Sequence, residues 1–283
     1  MPLVTTETML LDAQKGGYAV GAFNAENMEM VQAITEAADE LCAPVIIQTT
    51  PGTVRYAGLD YYLANTAAAA ERIPVPVAMH LDHGDSFSLA VQALRAGYTS
   101  IMIDGSRKPL EENIALTKAV VDACRPNGIP VEGELGQVGG KEDDLEGERA
   151  GYTDPEEAVL FERETGVSSL AVGVGTAHGV YASTPVLNVG LIDELKARLT
   201  VPMVLHGASG LSDEAIQACI RAGICKVNFA TELRVAYTHT IQSYLSQNPC
   251  AIDPKQYCAA GREAVKTLVK ERILVCGCAG RAR

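Results

Sequence analysis

Short apolar runs recur along the chain, each closing on polar or glycine residues and each followed by a helical pattern. The runs are YAVGAFN (18–24), PVIIQT (44–49), PVAMHLD (76–82), SIMIDG (100–105), PVEGELG (130–136), SSLAVGVG (168–175), PMVLHGASG (202–210) and KVNFAT (226–231). They are almost continuously apolar, as strands covered on both faces of a parallel sheet must be. Between them, EMVQAITEAADEL sets Val31, Ile34, Ala38 and Leu41 on one helical stripe, and PLEENIALTKAVVDAC does the same with Leu110, Ile114, Thr117, Val121 and Cys124. Asp154-Pro155-Glu156-Glu157 reads as an N-cap, a proline at the first helical position and a capping-box glutamate. Ala96-Gly97 and Ala222-Gly223, each preceded by an arginine, read as helix ends with a left-handed glycine.

Eight β/α units in succession predict an α/β fold, a (β/α)8 TIM barrel forming a single domain over residues 1–283. A mobile loop at about 139–155 and a helical C-terminal segment complete the expectation. The rival, a doubly wound open sheet, usually needs fewer strands and favours a GxGxxG turn after the first one, which is missing here.

Composition narrows the function. Apolar residues make up 47% and charged residues 20% of 283, which excludes a disordered chain. Tryptophan is absent and aromatics are 5%, so small aliphatic residues must carry the packing. A formal net charge of -12 repels a nucleic-acid backbone, but leaves room for a local site for a small phosphorylated ligand. Neither a signal-peptide pattern nor a run of membrane-spanning length is present, so the expected setting is cytoplasmic with no membrane partner. Of eight cysteines, Cys42, Cys124, Cys219 and Cys225 read as small buried hydrophobes. Cys276 and Cys278 are too close for a C-x-x-C pair and lack zinc-site partners.

In such a barrel the chemistry gathers at the carboxyl ends of the strands. Those ends offer Asn24; Gln48, Thr49 and Thr50; His80, Asp82 and His83; Asp104; Glu132 and Glu134; His178; His206, Gly207 and Ser209; and Asn228 and Thr231. Four of the five histidines lie there, on three separate ends. Three imidazoles converging on one barrel mouth suit a catalytic zinc ion, which takes three protein ligands and keeps a fourth position open. The predicted set is His83, His178 and His206. Strand alternation puts His80 on the opposite face from His83, so His80 is read as a barrel-interior or supporting residue. His239 falls on a helix and is read as structural.

The loops after the seventh and eighth runs, HGASG and the end of KVNFAT, are the usual phosphate position of this barrel and work through backbone N–H groups. GGKEDDLEGERAGYTDP (139–155) lacks strand character and reads as a solvated loop that can also serve as a lid carrying a carboxylate.

Taken together, YAVGAFN, PVIIQTTPGT, HLDHGDS, SIMIDGS, VEGELGQVGGKEDD, GTAHGVY, VLHGASGL and KVNFATEL resemble the class II, metal-dependent ketose-bisphosphate aldolases, and most nearly their tagatose-bisphosphate branch. The likeness spans nearly the whole chain. It implies a catalytic aspartate at Asp82, zinc ligands at His83, His178 and His206, and an alternative buried metal position at Asp104 and Glu134. It also implies substrate and phosphate contacts at Asn24, Thr50, Gly179, Gly207, Ala208, Ser209, Asn228, Phe229, Ala230 and Thr231. One Zn2+ per subunit is implied, with Na+ or K+ near the phosphate loops. So is a homodimer or homotetramer, with room for a non-catalytic partner subunit. The chain departs from fructose-specific relatives in reading GGKED where they commonly read GGEED, so Lys141 replaces a glutamate while Glu142 is kept. It also has Ala208 where they often have glycine. Both departures favour the tagatose branch.

The implied reaction is reversible cleavage of D-tagatose 1,6-bisphosphate to glycerone phosphate and D-glyceraldehyde 3-phosphate; the same cleavage of fructose 1,6-bisphosphate is the alternative. Asp82 would take the proton of the C4 hydroxyl, and Glu142 the carbon-bound proton of the ketone fragment. A class I mechanism needs a lysine at a strand end, and Lys226 opens its run instead of ending it. A metal-dependent barrel hydrolase would carry H-x-H on the first strand, which has no histidine. A sugar-phosphate-binding partner subunit without catalysis would not need the full set of histidines and Asp82.

Overall fold

The structure, a computed structural model, describes residues 3–142, 145–147, 151–179 and 185–282, the side chains of 140–142 and 145–147 excepted. In chain order its strands are β1 (Val20–Asn24), β2 (Val45–Thr49), β3 (Val77–Gly84), β4 (Ser100–Ile103), β5 (Val131–Leu135), β6 (Gly139–Glu142), β7 (Leu145–Gly147), β8 (Ser169–Val172), β9 (Ala177–His178), β10 (Met203–Leu205) and β11 (Ile224–Phe229). Eight of them close a barrel in the order β1-β11-β10-β8-β5-β4-β3-β2, every pairing parallel. Helices surround it, and the whole is a (β/α)8 barrel in a single domain.

The helix boundaries follow side-chain chemistry. Asn27, Ser86, Asp154 and Ser212 each accept a hydrogen bond from a backbone N–H in the first turn of the following helix. Gly97 ends the helix Phe87–Ala96 in the left-handed region, at φ 107°. Ala33, Ala37, Ala38, Ala90 and Ala93 are fully buried, so small side chains let the helices lie close on the strands. Gly133 on β5 takes this furthest: a Cβ there would meet the ring of Phe161, on the helix Pro155–Thr165, at 2.7 Å.

Three features differ from the sequence reading. The loop expected to lack strands folds as a hairpin of β6 and β7, and β6 also pairs in parallel with β9. Its polar, glycine-rich sequence has weak strand preference, so the pairing comes from its neighbours rather than from local propensity. Cys42 is exposed, because it sits just past the helix Met28–Glu40 at φ 48° instead of within the buried stripe; Cys124, Cys219 and Cys225 are buried as expected. The eighth run starts earlier and stops earlier than KVNFAT, since Ile224 and Cys225 continue the strand and Thr231 already begins a helix. The long C-terminal helix is Pro254–Cys276, and Gly280 and Ala282 beyond it donate backbone hydrogen bonds to Leu41 and Cys42. No helix among the described residues is long and apolar enough to cross a membrane.

Candidate metal centre

The site begins with an irregularity in β3. Leu81 pairs with Ile101 of β4 but Gly84 pairs with Ile103, so β3 spends three residues where β4 spends two. The extra residue is a bulge, and His83 sits in it at φ 48°. A left-handed histidine is uncommon and carries strain of order ~1 kcal/mol. It overrides alternation: Asp82 and His83 both reach groups at the carboxyl end of the barrel, while His80 lies deeper.

His83, His178 and His206 offer ligand atoms that all lie within 4.8 Å of one another, and so do His83, Asp104 and Glu134. The ring of His83 is 4.6 Å from that of His206 and 5.1 Å from that of His178, centroid to centroid. Nδ1 of His83 bonds Asp104 Oδ2 at 2.9 Å. Nδ1 of His206 faces Glu134 Oε2 at 3.2 Å, both atoms buried and neither in a formed hydrogen bond. Buried polar atoms are nearly always satisfied, so this pair marks a position for a third body. Imidazole nitrogens flanked by carboxylates are the donor set of a divalent ion such as zinc. The residues fit one divalent metal site.

Electrostatics agree with that. Burial pushes the Asp104 carboxyl up, but the bonds from His83 and Ser106 outweigh it and hold the group well below the usual carboxylate range. Burial pushes His206 down, yet Glu132 and Glu134 outweigh it and raise it to about 9. The carboxylates that raise it also favour a divalent cation there, whose binding must displace one ring proton.

Asp82 lies beside this cluster, 1% exposed. Three side-chain amides donate to it: Asn24 at 3.1 Å and Gln48 at 3.0 Å to Oδ2, and Asn228 at 3.0 Å to Oδ1. Gln48 also donates to Asn24 Oδ1 at 2.8 Å. Four strands, β1, β2, β3 and β11, thus meet at one carboxylate.

The loops expected to take phosphate are tied together. The Ala230 N–H donates to Ser209 Oγ at 3.2 Å, which joins HGASG to the start of the helix Thr231–Gln247. Gly207 has φ 66°, and a Cβ there would stand 2.6 Å from the carbonyl oxygen of Ala177, so no side chain fits between this loop and β9. Ala208 and Ala230 are buried, and Gly179 is left-handed at φ 87°. Phe229 is fully buried and stacks on Phe23, so its side chain belongs to the packing. Thr50 is the N-cap of the helix Pro51–Ala57 and accepts from the Thr53 N–H. Glu142 closes β6, whose Gly140 is in register with His178, but its side chain lies outside the described residues. His239 is on the helix Thr231–Gln247 and exposed.

Two residues came out differently from their position in the sequence runs. Lys226 is in the middle of β11, fully buried, and donates to Glu132 Oε2 at 2.8 Å. Glu132 is therefore paired on both oxygens, with Lys226 on one and His206 on the other. Gln48, noted only as a strand end, donates to both Asn24 and Asp82. Its signal in the sequence was a polar side chain inside the apolar run PVIIQT.

Comparison with known proteins agrees with the geometry. Residues 4–281 match the family model described as Fructose-bisphosphate aldolase class-II. The chain is similar to the YdjI aldolase from Escherichia coli K12, at 36% identity, TM-score 0.88, covering 99% of this chain and 100% of that one. It is similar to a putative fructose-1,6-biphosphate aldolase from Coccidioides immitis, at 28% identity and TM-score 0.90, over 97% and 96% of the two chains. The fructose-bisphosphate aldolase Fba from Campylobacter jejuni shares the fold, at 21% identity and TM-score 0.83 over 98% and 96%.

Proposed function

The chain belongs to the class II fructose-bisphosphate aldolase family, and from that premise we propose that it reversibly cleaves D-tagatose 1,6-bisphosphate into glycerone phosphate and D-glyceraldehyde 3-phosphate, with zinc as its metal. The observation that carries the reading is the cluster of three histidines within 4.8 Å beside a carboxylate held by three amides. His83, His178 and His206 would hold the ion, which when bound supplies Lewis-acid polarisation of the C2 carbonyl. Asp82, fixed in position by Asn24, Gln48 and Asn228, takes the C4 hydroxyl proton during cleavage and returns it to the aldehyde oxygen during condensation. Asn228 has a second role open to it, since its Oδ1 is buried without a hydrogen-bond partner and can accept from a substrate hydroxyl. Gly207, Ser209 and Thr231 bind phosphate through a loop and a helix N-terminus that need no basic patch. Glu142 moves the carbon-bound proton of the glycerone phosphate part. Lys141 and Ala208 favour the tagatose compound over its C4 epimer.

The test compares kcat/KM for tagatose and fructose 1,6-bisphosphates on one zinc-loaded preparation. A higher value for tagatose 1,6-bisphosphate is expected, with measurable fructose cleavage. A clear preference for fructose 1,6-bisphosphate would reverse the branch and leave the aldol chemistry standing.

A further inference from the structure

Beneath the metal cluster the barrel interior is polar, which an ordinary barrel core is not. Lys226, Glu132 and His80 are at most 2% exposed and touch one another: Lys226 Nζ is 2.8 Å from Glu132 Oε2 and 3.4 Å from His80 Nε2. His80 Nδ1 lies 2.8 Å from Ser100 Oγ, which accepts from Thr6 Oγ1 at 2.9 Å. At its upper end the chain reaches His206, whose Nε2 is 3.0 Å from Glu132 Oε1. Replacing a buried ion pair by apolar residues is often neutral or stabilising, so stability alone is a weak reason for Lys226 and Glu132 to be here.

The geometry supplies another reason. An ionised carboxylate can only accept, so Nε2 of His206 must be the nitrogen that donates. Once a metal ion takes the place of the proton on Nδ1, the atom that faces Glu134, the ring is neutral and its one proton stays on Nε2. Lys226 occupies the second oxygen of Glu132 and fixes the carboxylate plane. Lys226 in turn donates to His80, whose orientation Ser100 sets.

We propose that Glu132 and Lys226 are positioning residues for the metal centre: the pair holds His206 with its proton on Nε2 and turns Nδ1 toward the ion. The proposal rests on the reading of His206 as a metal ligand. Carboxylates that bind the outer nitrogen of a ligating histidine are worth roughly 10–100-fold in metal affinity.

The experiment compares two double variants that both remove the buried charges. Glu132→Gln with Lys226→Met keeps an acceptor for His206; Glu132→Leu with Lys226→Met does not. Zinc affinity is measured by competition with a chromophoric chelator, and folding by thermal melting without metal. The Gln double should bind zinc within a few-fold of the native protein, and the Leu double about 10–100-fold more weakly, at similar melting temperatures. Equal zinc affinity in the two doubles overturns the proposal. A second readout needs no variant: NMR of the zinc-loaded native protein should find the His206 proton on Nε2 and protected from exchange, and a proton on Nδ1 overturns the proposal. Failure of the native protein to bind one zinc would instead sink the metal reading itself, so the two failures are told apart.

Discussion

Asp82 receives its hydrogen bonds from three neutral amides, whereas Glu132 is gripped by a lysine on one oxygen and a histidine on the other. Both carboxylates are buried in the same barrel, Asp82 on β3 and Glu132 on β5, which also carries Glu134. The difference separates a group held by shape from a group held by charge. Around Asp82 the side-chain hydrogen-bond partners among the described residues are neutral amides. Around Glu132, loss of the carboxylate charge would leave the Lys226 cation buried without its anionic partner, at a cost of several kcal/mol. Burial pushes the Glu132 carboxyl up, but Lys226 and then His206 outweigh it and hold the group well below the usual carboxylate range. The surroundings of Glu132 thus oppose its protonation.

Removing Asp82 should have the largest effect on the reaction. Asp82→Ala is expected to lower kcat by about 10²–10⁴ while metal content stays near that of the native protein. Metal analysis and steady-state cleavage on the same sample check this; an unchanged kcat would take Asp82 out of the mechanism and leave its amide cage without a catalytic purpose.

Breaking Glu132's environment should act on folding instead. Lys226→Met alone takes the lysine cation from the buried Glu132 carboxylate and leaves it the His206 contact, so urea unfolding should show a loss of about 3–5 kcal/mol. Adding Glu132→Gln should recover most of it. A stable single variant would mean that the two carboxylates are less different than their partners suggest.

The sequence disclosed some of this and hid the rest for physical reasons. Eight apolar runs were legible because parallel strands covered on both faces must be apolar throughout. The histidine cluster was legible because it lies at strand ends, where the fold concentrates chemistry. His83 was readable as a strand-end residue, but not the way it reaches the mouth: alternation assumes regular pleating, and the bulge at φ 48° breaks it. The hairpin of β6 and β7 was hidden because its pairing to β9 is set by tertiary neighbours, not by its glycine-rich sequence. The Lys226–Glu132 pair joins residues 94 positions apart on strands that are not neighbours in the barrel. Nothing local announces it, and Lys226 at the start of an apparent run looked like an edge residue.

Glu232 extends the comparison to a carboxylate with neither kind of partner at close range. It lies in the first turn of the helix Thr231–Gln247, its side chain 21% exposed, and its Oε1 is buried without a hydrogen bond. Arg272 faces it, but that guanidinium is committed to Asp213 at 2.9 Å and leaves Nε 3.9 Å from Glu232. Burial therefore prevails over Arg272, helped by the charges of Asp213 and Glu271, and pushes the Glu232 carboxyl up to about 7. A pKa raised on folding makes a contribution that is fully present below the unfolded value of 4.5 and is lost as pH rises through the folded value of about 7. Between those limits stability should fall by about 1–3 kcal/mol through this group. Glu232→Gln, which cannot ionise, should remove that part of the slope, so the native and variant unfolding energies should diverge with rising pH, the variant becoming the more stable. Parallel curves from pH 4.5 to 8 would mean that Arg272 compensates Glu232 across the 3.9 Å gap after all, and that a distant cation serves a buried carboxylate as well as a touching one.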